Sequence, residues 1–138
     1  MQSFASLYPV CAMALLSFGV SLWLYKSRVK AIKSGSKLSY FKFNQGEMPD
    51  FAKQAEQHYA NLFEMPVLFY MVLLVAFVTQ TDHLGLVVLA WIYVLLRLVH
   101  TYIHLGSNYL LYRMRSFLAS FAVLFAMWIW VLIALLLK

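Results

Sequence analysis

The sequence predicts an all-α integral membrane protein built as a bundle of four transmembrane helices. Of its 138 residues, 64% are hydrophobic and 12% are charged, whereas soluble domains are typically about 45–50% apolar and about 25% charged. A helix needs about 20 predominantly apolar residues to cross a bilayer. Four such runs, which we expect to form one domain over residues 1–138, lie at about residues 4–25, 61–79, 84–105 and 116–137.

Basic residues predict the orientation of these spans. Seven of the eleven lysines and arginines lie between the first two runs. Segments rich in Lys and Arg remain cytoplasmic, so we expect residues 26–57 to form a basic cytoplasmic loop and both chain termini to lie outside the cytoplasm. The net charge of +6 therefore reflects membrane topology and indicates no nucleic-acid partner.

The second span is expected to belong to a longer helix, from about residue 50 through residue 79. At 1.5 Å per residue such a helix exceeds the ~30 Å hydrocarbon core, so its first turns should lie outside the lipid. Pro66 has no amide hydrogen to bond the carbonyl of Leu62. The sequence therefore predicts a kink beside Glu64.

Polar residues interrupt the apolar runs near one end of the predicted bundle. They fall at helical spacing on two helices: Gln57, Asn61 and Glu64 on the second, and Arg97, His100 and His104 on the third. Because these two helices run in opposite directions, we expect both sets to lie in the cytoplasmic third of the bilayer. The fourth run opens there with Arg113, Arg115, Ser116 and Phe117.

This polar cluster contains more positive than negative charge. Arg97 is the natural partner for Glu64, because a guanidinium and a carboxylate pair bidentately. Arg113 and Arg115 then lack acidic partners, and this surplus favours an anionic ligand. The cluster could instead serve only to hold the bundle together, with arginine side chains that reach towards the interface.

Histidines raise the question of a metal site. His100 and His104 are one helical turn apart, a spacing that suits metal ligands. However, no acidic ligand follows them, and only His58 and His83 remain elsewhere, with His83 expected at the opposite membrane face. We therefore predict no metal site.

Short motifs distributed along the chain carry a family resemblance. They are N-L-F-E at 61–64, R-L-V-H at 97–100 and R-M-R-S-F at 113–117. With four spans and a basic first loop, the chain resembles the family of membrane-associated proteins in eicosanoid and glutathione metabolism (MAPEG), and its bacterial members most. The resemblance implies a homotrimer, in a bacterial inner membrane, with glutathione bound between protomers near the cytoplasmic face.

The same resemblance implies residue roles. Arg113 is expected to be the catalytic cation that stabilises the glutathione thiolate, with Arg115 as the rival. The other residues expected to contact glutathione are Lys26, Arg28, Gln57, Asn61, Glu64, Arg97, His100, His104, Ser116 and Phe117. Relatives often have Tyr at the position of His104, and strongly active relatives often have Arg at the positions of Gln57 and Ala60.

Two functions follow from these observations. The first is a glutathione-dependent membrane transferase or peroxidase, with glutathione as co-substrate, that acts on lipophilic electrophiles or lipid hydroperoxides. The second is a non-catalytic member of the same family, which binds a lipid or another anion or acts as a scaffold. A small channel or transporter fits less well, because the polar residues crowd one end and leave the outer half of the bundle apolar.

Overall fold

The computed structural model describes residues 4–43 and 45–138, which form six α-helices and no strand. The helices are α1 (Leu7–Lys33), α2 (Tyr40–Phe43), α3 (Asp50–Leu62), α4 (Met65–Val78), α5 (Leu84–Leu105) and α6 (Leu110–Leu136). Four stretches are long and apolar enough to cross a membrane: α1, α3 together with α4, α5, and α6. The prediction of an all-α chain with four spans is confirmed.

The helices extend beyond the apolar runs at two places. Helix α1 continues past residue 25 to Lys33, and α6 begins at Leu110. Residues 26–33 of the predicted basic loop 26–57 are therefore helical as the last turns of α1, and its residues 50–57 belong to α3, as the predicted helix from about residue 50 requires. Lysine and arginine are good helix formers, so charge alone does not end α1. The helix ends where Gly35 adopts a left-handed conformation with φ of 103°, as is common after a helix C-terminus.

The second span is interrupted beside Glu64. Helix α3 ends at Leu62 and α4 begins at Met65, so Phe63 and Glu64 lie outside both helices. The cause is Pro66, which has no amide hydrogen for the carbonyl of Leu62 and whose ring obstructs a continuous helix. The predicted kink is confirmed as a break, and it leaves the last carbonyls of α3 without donors from their own helix.

Helix α5 occupies a central position because it packs against α1, α3 and α6. In the apolar part of the bundle, Phe69 of α4 stacks on Tyr93 of α5, with 4.4 Å between ring centroids, and both side chains are fully buried. The polar half of α5 follows one turn later along the chain. It is consequently enclosed by α3 and by the start of α6.

An ion pair joins α1 to α3 at the same end of the bundle. The guanidinium of Arg28 lies 3.1 Å from the carboxylate of Glu56. The hydroxyl of Tyr40 donates to the second oxygen of that carboxylate at 3.3 Å. Burial and the neighbouring Glu56 raise the pKa of Tyr40, so its hydroxyl keeps its proton and remains a donor. These contacts hold Tyr40, at the start of α2, against α1 and α3.

Gly106 ends α5 beside the polar cluster, and we predict that Gly106→Ala destabilises the protein. A Cβ atom there would lie 2.7 Å from the carbonyl oxygen of Tyr102, so the backbone must move, at a cost of about 1–3 kcal/mol. Thermal unfolding of the detergent-purified protein measures this cost. Gly19→Ala is the matched control, because a Cβ there meets no atom within 4 Å and alanine favours a helix by about 1 kcal/mol. Equal melting temperatures for the two variants would contradict the prediction.

Candidate functional site

Three buried histidines meet at the polar end of the bundle. His58 of α3, His100 and His104 are 0%, 2% and 1% exposed. One ring nitrogen from each lies within 4.8 Å of the other two, and the Nδ1 atoms of His58 and His104 are 3.0 Å apart. The sequence pattern does not predict that His58 lies near the other two histidines. In the structure His58 contacts them because α3 packs against α5.

The histidine hydrogen bonds have a defined direction. Arg113 Nη1 lies 3.3 Å from His104 Nε2, and a guanidinium only donates, so this nitrogen accepts. His104 Nδ1 then carries the proton and donates to His58 Nδ1. His58 Nε2 donates in turn to Thr101 Oγ1 at 2.9 Å. The hydroxyl of Thr101 donates to the backbone carbonyl of Arg97 at 2.8 Å. A single chain of hydrogen bonds therefore links the two arginines.

His100 has a separate set of partners. Its Nδ1 lies 3.1 Å from the carbonyl oxygen of Arg113 and 3.1 Å from Ser116 Oγ. Since Ser116 itself donates to that carbonyl, both oxygens are acceptors towards the ring, and Nδ1 of His100 therefore carries the proton. The ring's Nε2 is buried and has no hydrogen-bond partner within the described residues. It is a free lone pair inside the cluster.

Arg97 is a fully buried cation with little compensation. Its Nη2 donates to the carbonyl of Asn61 at 3.2 Å, which is one of the carbonyls freed at the end of α3. Its guanidinium lies 5.9 Å from the ring centroid of Phe117. Its Nε and Nη1 atoms have no partner among the residues that the structure describes. Such donors are costly in a membrane interior, and they indicate a missing acceptor.

The predicted ion pair between Glu64 and Arg97 is wrong. Over residues 4–43 and 45–138, the one ion pair within 4.0 Å joins Arg28 to Glu56. Glu64 lies in the break between α3 and α4, where its side chain is exposed on the protomer surface. The break turns the chain, so the helical spacing that placed Glu64 on the face of Asn61 no longer applies.

The two candidate thiolate-stabilising arginines differ in position. Arg113 is half-buried and donates to Asn108 Oδ1 at 2.9 Å as well as to His104. Arg115 is exposed and makes no hydrogen bond or ion pair with any described residue. The geometry therefore favours Arg113, which lies inside the cluster.

The remaining residues predicted to contact glutathione divide into two groups. Asn61, Ser116 and Phe117 lie in the cluster and contact Arg97 or His100. Gln57 and Lys26 are exposed, and Arg28 is already paired with Glu56, so the protomer alone does not bring these three to the cluster.

His58, Thr101 and Asn108 belong to the cluster but were not among the predicted site residues. His58 takes the inward position that had been predicted for its neighbour Gln57. The signal in the sequence is the spacing of small residues, since Ala52 and Ala55 precede His58 at intervals of three and both are fully buried. This spacing marks the face of α3 that packs into the bundle.

Comparisons with known proteins give one match. No curated protein and no solved structure matches the chain significantly. The model of the MAPEG family matches residues 6–133, and this range includes the four candidate spans almost entirely as well as the whole polar cluster. The chain, a multi-pass membrane protein, therefore belongs to the MAPEG family.

Proposed function

We propose that the protein is a glutathione-dependent membrane transferase or peroxidase, which activates the glutathione thiol for attack on lipophilic electrophiles or lipid hydroperoxides. Membership of the MAPEG family supports this proposal, because the family includes glutathione-dependent transferases. The family also has non-catalytic members, so the support must come from the site itself.

The observation that carries the proposal is buried positive charge without an anion bonded to it. Arg97 is fully buried and two of its nitrogens are unpartnered among the described residues. Arg113 is half-buried and bonded to neutral groups, Asn108 and His104. A cation in an apolar bundle is expected to have a charged partner. An anionic ligand supplies what these two side chains lack.

Glutathione matches this requirement. It carries two carboxylates, one ammonium group and a thiol. Its carboxylates suit the guanidinium groups through charge-assisted hydrogen bonds. Its ammonium suits Glu64, which is exposed at the break of the second span and forms no ion pair within the described residues.

Arg113 is the residue that we expect to activate the thiol. A free cysteine thiol has a pKa near 8.5, and an adjacent cation lowers such values to about 3.5–7.5. The resulting thiolate would attack an electrophilic carbon to form a C–S bond, while a leaving group departs or a double bond or epoxide ring opens and takes up a proton. With a hydroperoxide, it would attack the distal oxygen and break the O–O bond, which gives the alcohol and the sulfenic acid of glutathione. A second glutathione would then attack the sulfenic sulfur to form the disulfide and release water.

The proposal includes assembly as a homotrimer. Glu64 and Gln57 are exposed on the protomer surface, near the depth of the cluster. A carboxylate facing lipid within a span is costly, and a neighbouring protomer would cover it. Glutathione bound between protomers would then contact Glu64 and the arginines together.

The orientation and location that we propose follow from charge. The basic residues of the 26–57 segment, with Arg113 and Arg115, lie at the end of the bundle that holds the site. The positive-inside rule places this end in the cytoplasm and both termini outside. By the resemblance to bacterial relatives, the membrane is the bacterial inner membrane.

One observation favours a non-catalytic role as the second candidate. Arg97 is fully enclosed and donates to the end of α3, an arrangement that can stabilise the bundle without any ligand. In that case Arg97→Ala would destabilise the protein and glutathione would change nothing. The two experiments below separate these functions.

We predict that Arg113→Ala abolishes glutathione binding and that Arg115→Ala does not. The reason is that Arg113 lies in the cluster, whereas Arg115 is exposed and makes no described contact. A ligand at 100 times its Kd stabilises the folded protein by about 2.7 kcal/mol. Thermal unfolding with and without millimolar glutathione measures this shift. A shift that survives in Arg113→Ala, or is absent from the wild type, would contradict the proposal.

We also predict that Gln57→Arg combined with Ala60→Arg tightens glutathione binding. Both positions are exposed on α3, next to Asn61, and strongly active relatives often have arginine there. Each new charge-assisted hydrogen bond contributes about 1.5–3 kcal/mol, or roughly 10- to 150-fold in Kd. Calorimetric titration measures Kd. Ser39→Arg combined with Gln45→Arg adds the same two charges at exposed positions between α1 and α3 and should leave Kd unchanged. An equal gain in this control would mean that the effect is only long-range attraction.

A further inference from the structure

We propose that a cavity between α1, α3 and α5 binds the headgroup of an anionic phospholipid, whose acyl chains remain in the bilayer. The cavity is lined by residues of these three helices and measures about 300 Å³, at the lower end of the range of about 300–1,000 Å³ for ligand pockets. None of the described residues that line it is a histidine or an arginine, so it is separate from the polar cluster. The proposal therefore does not rest on the function proposed above.

The hydroxyl of Ser27 is a buried polar group without a partner at this cavity. Ser27 lies on α1, is 8% exposed and lines the cavity. Serine hydroxyls within helices can donate to the carbonyl four residues earlier, as Ser21 donates to Ser17. The hydroxyl of Ser27 forms no hydrogen bond with any described residue. A buried donor of this kind indicates an acceptor that the chain itself does not supply.

Lysines give the cavity a positive charge. Lys26 and Lys30 line it, and the ammonium of Lys30 lies 4.8 Å from the ring centroid of Phe51, which lines it too. A second cavity of about 370 Å³ shares these two lysines and adds Lys33. The three lysines follow i, i+4, i+7 spacing and therefore share one face of α1. Among the described residues, none that lines either cavity is acidic, so the charge favours an anionic ligand.

The position of the cavity favours a lipid over a soluble anion. It lies where the apolar run of α1 ends, at about residue 25, and where its lysines begin. Trp23, Phe51 and Leu105 supply its apolar lining, and tryptophan is enriched at the boundary between hydrocarbon and headgroups. Basic pockets between transmembrane helices on the cytoplasmic side bind anionic lipid headgroups. Lysines beside an apolar wall match a phosphodiester that carries acyl chains.

The donors at this cavity suit a phosphate oxygen. The hydroxyl of Ser27 and the ammonium groups of Lys26 and Lys30 would donate charge-assisted hydrogen bonds to it. In phosphatidylglycerol the phosphate has no compensating cation. The choline of phosphatidylcholine, in contrast, is a cation that the lysines repel. We therefore expect the site to select phosphatidylglycerol over phosphatidylcholine.

A lipid bound here would join three helices beside the polar cluster. Gln54 of α3 lines the cavity, and its side-chain amide donates to the carbonyl of His104, near the end of α5. A headgroup held by Ser27 and Lys30 of α1 would lie against this contact. We therefore expect phosphatidylglycerol to raise the melting temperature of the protein, since a ligand of the folded state stabilises it.

Native mass spectrometry of the delipidated protein in detergent, without glutathione, tests the site. We expect the wild type to bind added phosphatidylglycerol. Ser27→Ala combined with Lys30→Gln should weaken this binding at least about tenfold, because it removes a hydrogen bond to a charged group and one cation. Ser39→Ala combined with Lys42→Gln is the matched control. It makes the same changes at the same spacing, at exposed positions, and should leave the affinity unchanged.

Lys30→Arg keeps the cation and should retain both the binding and the rise in melting temperature, and size-exclusion chromatography checks that each variant folds. Absence of phosphatidylglycerol binding, equal affinity in the two double variants, or equal affinity for phosphatidylcholine would overturn the proposal. Equally tight binding of glycerol 1-phosphate would overturn it too, because the ligand would then be a soluble phosphate. Dissociation of an oligomer in Ser27→Ala with Lys30→Gln, without loss of lipid, would mean that a second copy of the chain covers the cavity and would also overturn it.

Discussion

The structure of the polar end depends on one buried cation and on where it donates. Arg97 is fully buried on α5 and donates to the carbonyl of Asn61, close to the end of α3. That carbonyl lies at the negative end of the α3 dipole, so the contact compensates part of the charge of Arg97. Pro66 causes the break that ends α3. The kink-forming proline and the buried arginine are thus two parts of one arrangement.

This arrangement accounts for the rest of the cluster. Helix α3 is held against α5, so His58 meets His104, and the hydrogen-bond chain from Arg113 to the carbonyl of Arg97 becomes continuous. With the hydrogen-bond directions assigned above, the side chains of His104, His58 and Thr101 are neutral. Arg113 is then the charged member of this series of hydrogen bonds. Two guanidinium groups therefore lie at one end of an apolar bundle without a carboxylate bonded to either. Glu64 attracts Arg97 at longer range without forming an ion pair, and under our proposal a bound anion supplies the remaining negative charge.

The sequence was sufficient for the fold and for half of the site. The apolar runs predicted four spans, and the uninterrupted α5 kept Arg97, His100 and His104 on one face, as their spacing required. The prediction failed on α3 and α4, because the break after Leu62 invalidates helical spacing across it and moves Glu64 to the surface. Choosing His58 instead of its neighbour Gln57 required knowing which face of α3 packs inward. Contacts with α1 and α5 determine which face of α3 is buried, and the spacing of polar residues on α3 alone does not reveal these contacts.

The proposed function requires that the unbalanced cations hold glutathione as a thiolate. Ultraviolet difference absorbance at pH about 7, more than one unit below the usual pKa of about 8.5 for such a thiol, measures the thiolate directly. We expect a thiolate band when glutathione is added to the wild type, and no band with S-methylglutathione. Glutathione that binds without producing the band, or that does not bind at all, would contradict it.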